Sequence, residues 1–366
     1  MFSMIIMSLN LSNSIVNKDF LVDPYYKGSL ARMSQPRIIL AQATPNPQPG
    51  PAPRTPEEMS GLPLGSISDS GADGFWIGES DNGVRRAYNP QFAPLSSVPA
   101  IQPDAGFNRS GGSVIFVNGL QNTQAAAANA GQLIANKTGG DVRVFYNATQ
   151  GLNDVPRAIG DNLNILGVSR TPATKSLGST IYFTAKAGKP LHVMSTSHGS
   201  ILTRNALYIA RERLLADFGY KEIQFPGIAH GLNPTAYQAQ LQTNSRAFTQ
   251  SNAALRNIKI ETFGSGTGKF DIPGPKYVHW TNTYDPVVEL SGISYQGNAA
   301  KLDSLDPGEK SVVVRFSSGT PGAVEAHYME TYLPARINTG SFDQVYDANS
   351  GKSGNVTIVD RPGTKL

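Results

Sequence analysis

Val114-Ile115-Phe116-Val117 is an unbroken run of β-branched and aromatic residues, closed by Asn118-Gly119. A run with no polar alternation reads as a strand covered on both faces. Comparable runs return at 142–146, 191–195, 258–263, 277–280 and 311–316, and helical patterns fill most of the space between them. Thr123 can cap the Ala-rich segment 124–137, which Gly139-Gly140 then stops. Further helical stretches are expected at 155–166, in the segment ending before Gly188-Lys189-Pro190, and at 200–218. Strands alternating with helices predict an α/β fold, a mostly parallel sheet flanked by helices. In such sheets reactive groups gather at the carboxyl ends of the strands.

Around that alternation the chain changes character. The stretch TPNPQPGPAPRTPEEMSGLP, from Thr44 to Pro63, places proline at nearly every second position at first, which favours an extended backbone that cannot enter a sheet interior. Residues 1–63 therefore read as an arm and linker. Residues 64–112, rich in Gly, Ser, Asp and Pro with short apolar pieces such as Phe75-Trp76-Ile77, read as an irregular N-terminal extension packed on the core. The α/β domain is expected at 113–336 and a polar C-terminal tail at 337–366. No period of a repeat architecture recurs.

Several functions are excluded on composition and spacing. The formal charge is +4 with Lys and Arg scattered along the chain, so no basic block marks a nucleic-acid surface. With no cysteine there are no disulfides, thiolate metal sites or thiol nucleophiles. The opening residues 1–16 are partly apolar but interrupted by Ser and Asn, and Lys18 follows rather than precedes them, so neither a secretory signal nor a membrane span is formed. Ala41-Gln42-Ala43 resembles a cleavage site behind a short apolar run, which leaves export open. The five histidines lack ligand spacing such as H-E-x-x-H. Gly264-Ser265-Gly266-Thr267-Gly268-Lys269 resembles a phosphate loop, but Phe263 and Phe270 occupy the positions that need Gly and Ser or Thr. Asp69-Ser70-Gly71-Ala72-Asp73-Gly74 begins like a calcium loop, yet Ser80 stands where a bidentate Glu belongs. A site without metal or cofactor is predicted.

The segment Leu191-His192-Val193-Met194-Ser195-Thr196-Ser197-His198-Gly199-Ser200 runs from an apolar strand through small-x-Ser-x-Gly into a helix. This is the pattern of a nucleophile elbow, in which a sharp turn lifts the serine hydroxyl clear of the sheet. Ser195 and Gly199 supply the small residues that let strand and helix approach. The turn also sets the backbone N–H of His198 at a helix start, where an oxyanion would be stabilised. A serine needs a histidine to take its proton, and that imidazole needs a carboxylate to fix its tautomer. Asp285, in Asn282-Thr283-Tyr284-Asp285-Pro286, follows a strand, and His327, in Glu325-Ala326-His327-Tyr328, follows the last one. Asp271 and Asp303 are the less well placed acids, and His279 and His230 the competing histidines. Simpler roles exist for each residue: a helix-capping serine, a turn aspartate, a surface histidine.

With those residues in hand, the span 113–336 resembles an α/β-hydrolase of the lipase and esterase kind, with the chain order Ser, Asp, His. The resemblance implies Ser197 as nucleophile, His327 as base and Asp285 as its orienting acid. It implies that Val117-Asn118-Gly119-Leu120-Gln121-Asn122 is the oxyanion loop, with the Leu120 N–H, or that of adjacent Gln121, joining His198 as donor. Ser195 replaces the glycine common at the elbow's first small position, and Asn118-Gly119 stands where lipases often carry His-Gly. The implied activity is hydrolysis of a carboxylic ester through an acyl-enzyme. The polar segments 152–179 and 227–252, the cap candidates, favour a small or polar ester over bulk lipid. A non-catalytic binding protein of the same fold is the alternative, and a surface interaction protein suggested by the proline-rich arm a lesser one. The oligomeric state is left open.

Overall fold

A computed structural model describes residues 61–80, 82–109, 111–120, 122–148, 171–223, 234–267, 270–290, 311–317, 325–350 and 356–361. The described residues build a ten-stranded sheet between helical layers. Its strands are β1 (Leu62–Pro63), β2 (Trp76–Glu79), β3 (Arg85–Tyr88), β4 (Val114–Val117), β5 (Val142–Phe145), β6 (Leu191–Thr196), β7 (Ile258–Phe263), β8 (Lys276–Asn282), β9 (Ser311–Phe316) and β10 (Val356–Arg361). They lie in the order β1-β3-β2-β5-β4-β6-β7-β8-β9-β10. Pairing is parallel from β5 to β10 and antiparallel among β1, β2, β3 and between β2 and β5. This is the expected α/β architecture.

The helices are α1 (Gln124–Thr138), α2 (Pro172–Lys186), α3 (His198–Asp217), α4 (Pro234–Leu255), α5 (Pro286–Leu290), α6 (Met329–Thr339) and α7 (Phe342–Asn349). Thr123 caps α1 by accepting from the Ala126 N–H, and Gly139 ends it at φ 70°. Strand side chains alternate between two cores because successive Cβ atoms point to opposite faces. Phe116 and Met194 enter one core with Ile134 of α1 and Leu333 of α6. Ile115, Val117 and Val193 enter the other with Leu177 of α2 and Leu207 of α3. That two-sided burial is why these strands carry no polar alternation.

Three sequence expectations need amendment. The helix after β6 begins at His198, not Ser200, so Ser197 sits directly at the strand-to-helix break. The stretch read as a polar tail carries the end of α6, all of α7 and strand β10, which pairs in parallel with β9. Phe342, Val345 and Tyr346 of α7 are buried at helical spacing, a short apolar face that the polar majority conceals. Ser341 opens α7 with a capping box closed by Gln344. The described parts of the two cap candidates lie in α2 and α4; Ala173 and Leu177 of α2 belong to a core rather than to a cover over the sheet edge. The helix expected at 155–166 lies outside the described residues.

Glu261 on β7 ties several elements together from a position with no exposure. Its Oε1 accepts from Trp280 Nε1 on β8 at 2.9 Å and from Arg336 Nε on α6 at 2.8 Å, and its Oε2 lies 3.0 Å from His192 Nε2 on β6. Burial opposes its ionisation, but Arg336 and then His192 hold the carboxyl down at about 2. Removing one partner strands a buried charge. Arg336→Met should therefore cost about 3–5 kcal/mol, read as a lower urea midpoint at neutral pH.

His279, on β8, faces Thr262 across the β7–β8 register, with Nδ1 2.8 Å from the hydroxyl. Burial pushes its imidazole down to about 4 from an ordinary 6.5. Between those values the unfolded chain binds a proton that the folded chain refuses, so this contribution is fully present above pH 6.5 and is lost as pH falls to 4. The loss amounts to about 3 kcal/mol. Thermal melts of His279→Gln across that range should fall less steeply with acid than those of the parent chain; parallel curves would count against it.

Candidate active site

The carboxyl ends of β6, β7 and β8 and the turn after β9 carry the site residues; Asp285 and His327 are hydrogen-bonded to each other, while no hydrogen bond among the described residues joins Ser197 to His327. Ser197, between β6 and α3, has φ 51° and ψ −127°, the single positive φ at a non-glycine residue among the described residues. Such a conformation costs on the order of 1–3 kcal/mol and persists only where surrounding contacts impose it. Those contacts are visible. The Ser197 N–H donates to the Phe263 carbonyl at 3.3 Å, and the Ser197 carbonyl accepts from the N–H groups of Ser200 and Gly266, both at 3.0 Å. At Gly199 a Cβ would come within 2.5 Å of the Val117 carbonyl oxygen, so only glycine lets α3 start this close to β4. Although Ser197 occupies the cap position of α3, its side chain makes no capping hydrogen bond. The capping-serine reading therefore has no bond behind it.

Asp285 opens α5 and is buried, and its two oxygens do different work. Oδ1 accepts from the Val287 N–H at 2.9 Å, the local turn bond expected of an aspartate before proline. Oδ2 lies 2.7 Å from His327 Nδ1 and accepts from the Tyr332 hydroxyl at 2.5 Å. A carboxylate beside Nδ1 makes that nitrogen the proton carrier and leaves Nε2 as the acceptor, the tautomer a general base requires. His327 lies in a short 3-10 turn, Glu325–His327, that Asn282 at the end of β8 holds by donating from Nδ2 to the Ala326 carbonyl at 3.0 Å. Burial, and then the adjacent Asp285 charge, push the Tyr332 hydroxyl well above the usual tyrosine range. It stays protonated and donates.

The turn Phe263-Gly264-Ser265-Gly266 links the two halves of the site. On one side it brackets Ser197 through the bonds just given; on the other, Gly264 faces the acid and histidine. Gly264 has φ +53°, and a Cβ there would fall 2.5 Å from Asp285 Oδ2 and 2.9 Å from His327 Nδ1. The turn 263–266, part of the string that fails the phosphate-loop pattern, thus lies against both the Ser197 backbone and the Asp285–His327 pair.

The loop after β4 is braced from below. Asn118 accepts the Asn147 N–H at 2.8 Å and donates to the Asn147 carbonyl at 2.9 Å, tying the ends of β4 and β5. Asn147 Nδ2 lies 3.3 Å from the Asn118 carbonyl and 3.1 Å from His198 Nδ1. An amide nitrogen only donates, so His198 accepts at Nδ1 and carries its ring proton at Nε2. Leu120 follows Gly119 in this loop, half-buried, while Gln121 lies outside the described residues.

The competing residues fall elsewhere. His279 is inside β8 against Thr262, and Asp271 is bonded by the Tyr208 hydroxyl. His230 and Asp303 lie outside the described residues. Asp69 and Asp73, of the calcium-like string, accept from the backbone N–H groups of Gln124 and Ala148. Among the described residues no cluster of three or more His, Asp or Glu could hold a metal ion. Nor is any helix among them long and apolar enough to cross a membrane. Tyr332, Asn282 and Gly264 were invisible as site residues in the sequence. Tyr332 sits in the segment that carries His327, and Gly264-Ser265-Gly266 immediately follows a strand, but neither spacing names a partner.

Replacing Gly264 with alanine should push the Asp285–His327 pair apart while leaving the cores intact. The expected result is loss of the far-downfield proton NMR signal of the hydrogen-bonded His327 Nδ1–H with a normal circular dichroism spectrum, since a Cβ at 2.5 Å from Asp285 Oδ2 leaves no room for the 2.7 Å contact.

Comparison with known proteins adds little to this geometry. No protein-family model matches the chain, and no curated protein matches it. Among solved structures, a thermophilic esterase from Thermogutta terrifontis is similar at 11% identity and a TM-score of 0.25, over 74% of this chain and 79% of that one. A dienelactone hydrolase from Anabaena variabilis is similar at 12% identity and a TM-score of 0.21, over 73% of this chain and 86% of that one. Likeness at that level transfers no residue and no role.

Proposed function

We propose that this protein is a serine hydrolase that cleaves carboxylic esters through an acyl-enzyme, with Ser197 as nucleophile, His327 as general base and Asp285 as the acid that orients it. The observation that carries this reading is the forced backbone of Ser197, a strained serine whose side chain caps nothing, bracketed by the same turn that lies against the buried Asp285 and its partner His327. Backbone strain at a serine and an imidazole oriented by a carboxylate are both features that an activated alcohol's site requires.

In the proposed cycle, His327 Nε2 takes the Ser197 proton as Oγ bonds to the ester carbonyl carbon, and negative charge moves to the carbonyl oxygen. The backbone N–H groups of His198 and of Leu120, or of Gln121 beside it, are the donors proposed for that oxygen. Collapse of the tetrahedral species breaks the carbon–alkoxide bond, and the imidazolium passes its proton to the departing alcohol. Water, deprotonated by the same Nε2, then releases the acid and restores Ser197. Asp285 stays ionised throughout and holds the Nδ1 proton. Neither a metal nor a cofactor enters a step.

A small or polar ester is the proposed substrate class. Among the exposed large apolar side chains of the described residues only Leu241 comes from α4, so that helix offers little surface to a lipid aggregate. A fluorophosphonate probe tests the reading directly: it should label the native protein once, lose its target in Ser197→Ala, and react far more slowly with His327→Ala. Folded parent protein that resists the probe would leave a non-catalytic binding role instead.

A further inference from the structure

The Tyr332 ring belongs to the core, set edge-on against Phe263 and Phe316 at centroid distances of 6.1 and 5.3 Å. Its hydroxyl does something the core does not ask for. It receives the Asn282 N–H at 3.3 Å and donates to Asp285 Oδ2 at 2.5 Å, the same oxygen that meets His327 Nδ1 at 2.7 Å. A donor that is itself hydrogen-bonded as an acceptor is polarised toward stronger donation. Four residues further along α6, on the same face, Arg336 is fixed to buried Glu261. The helix carrying Tyr332 is thereby locked to the sheet.

We propose that Tyr332 is a positioning residue of this site: its hydroxyl pins Asp285 Oδ2 toward His327 and takes up part of that oxygen's negative charge, setting how strongly the carboxylate draws a proton onto the imidazole. The proposal rests on the hydrolase reading above. A carboxylate that already accepts from a phenol and from the Val287 N–H offers less charge to an imidazolium, so catalysis survives to lower pH than it would with the hydroxyl missing.

The other charges near the pair do not reproduce this effect. Glu325 lies in the histidine's own turn and Glu330 in the first turn of α6, both exposed to screening solvent, with exposed Tyr328 between them. Glu261 and Arg336 compensate each other, and His279, pushed down to about 4 by burial, stays neutral through the working range. Arg315 of β9 and Lys137 in the last turn of α1 are the basic groups of the neighbouring elements.

The test is the pH dependence of kcat/KM for p-nitrophenyl acetate, and of fluorophosphonate inactivation, in the full-length chain. Tyr332→Phe keeps the ring and its packing; it should move the acid limb of both profiles upward by roughly 0.5–1 unit and lower the plateau by about 3- to 10-fold. Replacing Tyr332 with fluorotyrosine, a stronger donor of nearly the same shape, should move the limb the opposite way and supplies the answer if the phenylalanine variant folds poorly. A uniform loss of rate with an unmoved limb in either variant would mean that the hydroxyl is merely structural, and the proposal would fall. Failure of the hydrolase reading looks different: the parent protein itself would show neither turnover nor labelling.

Discussion

A carboxylate without access to water must find its hydrogen-bond donors in the protein, and Asp285 finds three, each from a different piece of chain. Val287 comes from the helix that Asp285 itself opens, His327 from the turn after β9, and Tyr332 from α6. The demand couples the end of β8 to everything that follows β9. Asn282 adds to this by binding both the Ala326 carbonyl and the Tyr332 hydroxyl. The histidine loop is therefore held from two sides and its ring points where the acid directs it.

Ser197 depends on a different constraint, the tight passage from β6 into α3. The strand is buried among parallel neighbours and the helix begins without a connecting loop, so the one residue between them takes a backbone shape that serine does not choose. Glycines at 199 and 264 remove the side chains that would block the passage or its wall. Sheet, elbow and acid pair meet along the turn 263–266, where one segment is bonded to the serine backbone on one side and lies against the Asp285–His327 pair on the other.

Much of the sheet was legible in the sequence, because strands buried on both faces leave apolar runs such as 114–117 and 312–314. The edges were not. Strand β10 and helix α7 sit in polar sequence, where burial of Phe342, Val345 and Tyr346 on one narrow face is too weak a pattern to stand out. The elbow motif marked Ser197, and the positions of Asp285 and His327 after successive strands marked them as candidates. Their pairing could not be read, since residues 42 positions apart have no spacing rule that joins them. Tyr332 and Gly264 escaped for the same reason: one acts through a hydroxyl on an otherwise ordinary core ring, the other through an atom it lacks.

Local chemistry in the chain determined where strands and helices form, that a serine would stand at a strand-to-helix break, and that an aspartate and a histidine would follow later strands. Those outcomes depend on side chains within a few residues of each other. The tertiary structure alone decided which oxygen of Asp285 meets His327, that a phenol shares it, and that one glycine turn contacts both this pair and the Ser197 backbone. Each of these is a contact between distant segments, fixed by how the sheet stacks its carboxyl ends and by the absence of water around a buried charge.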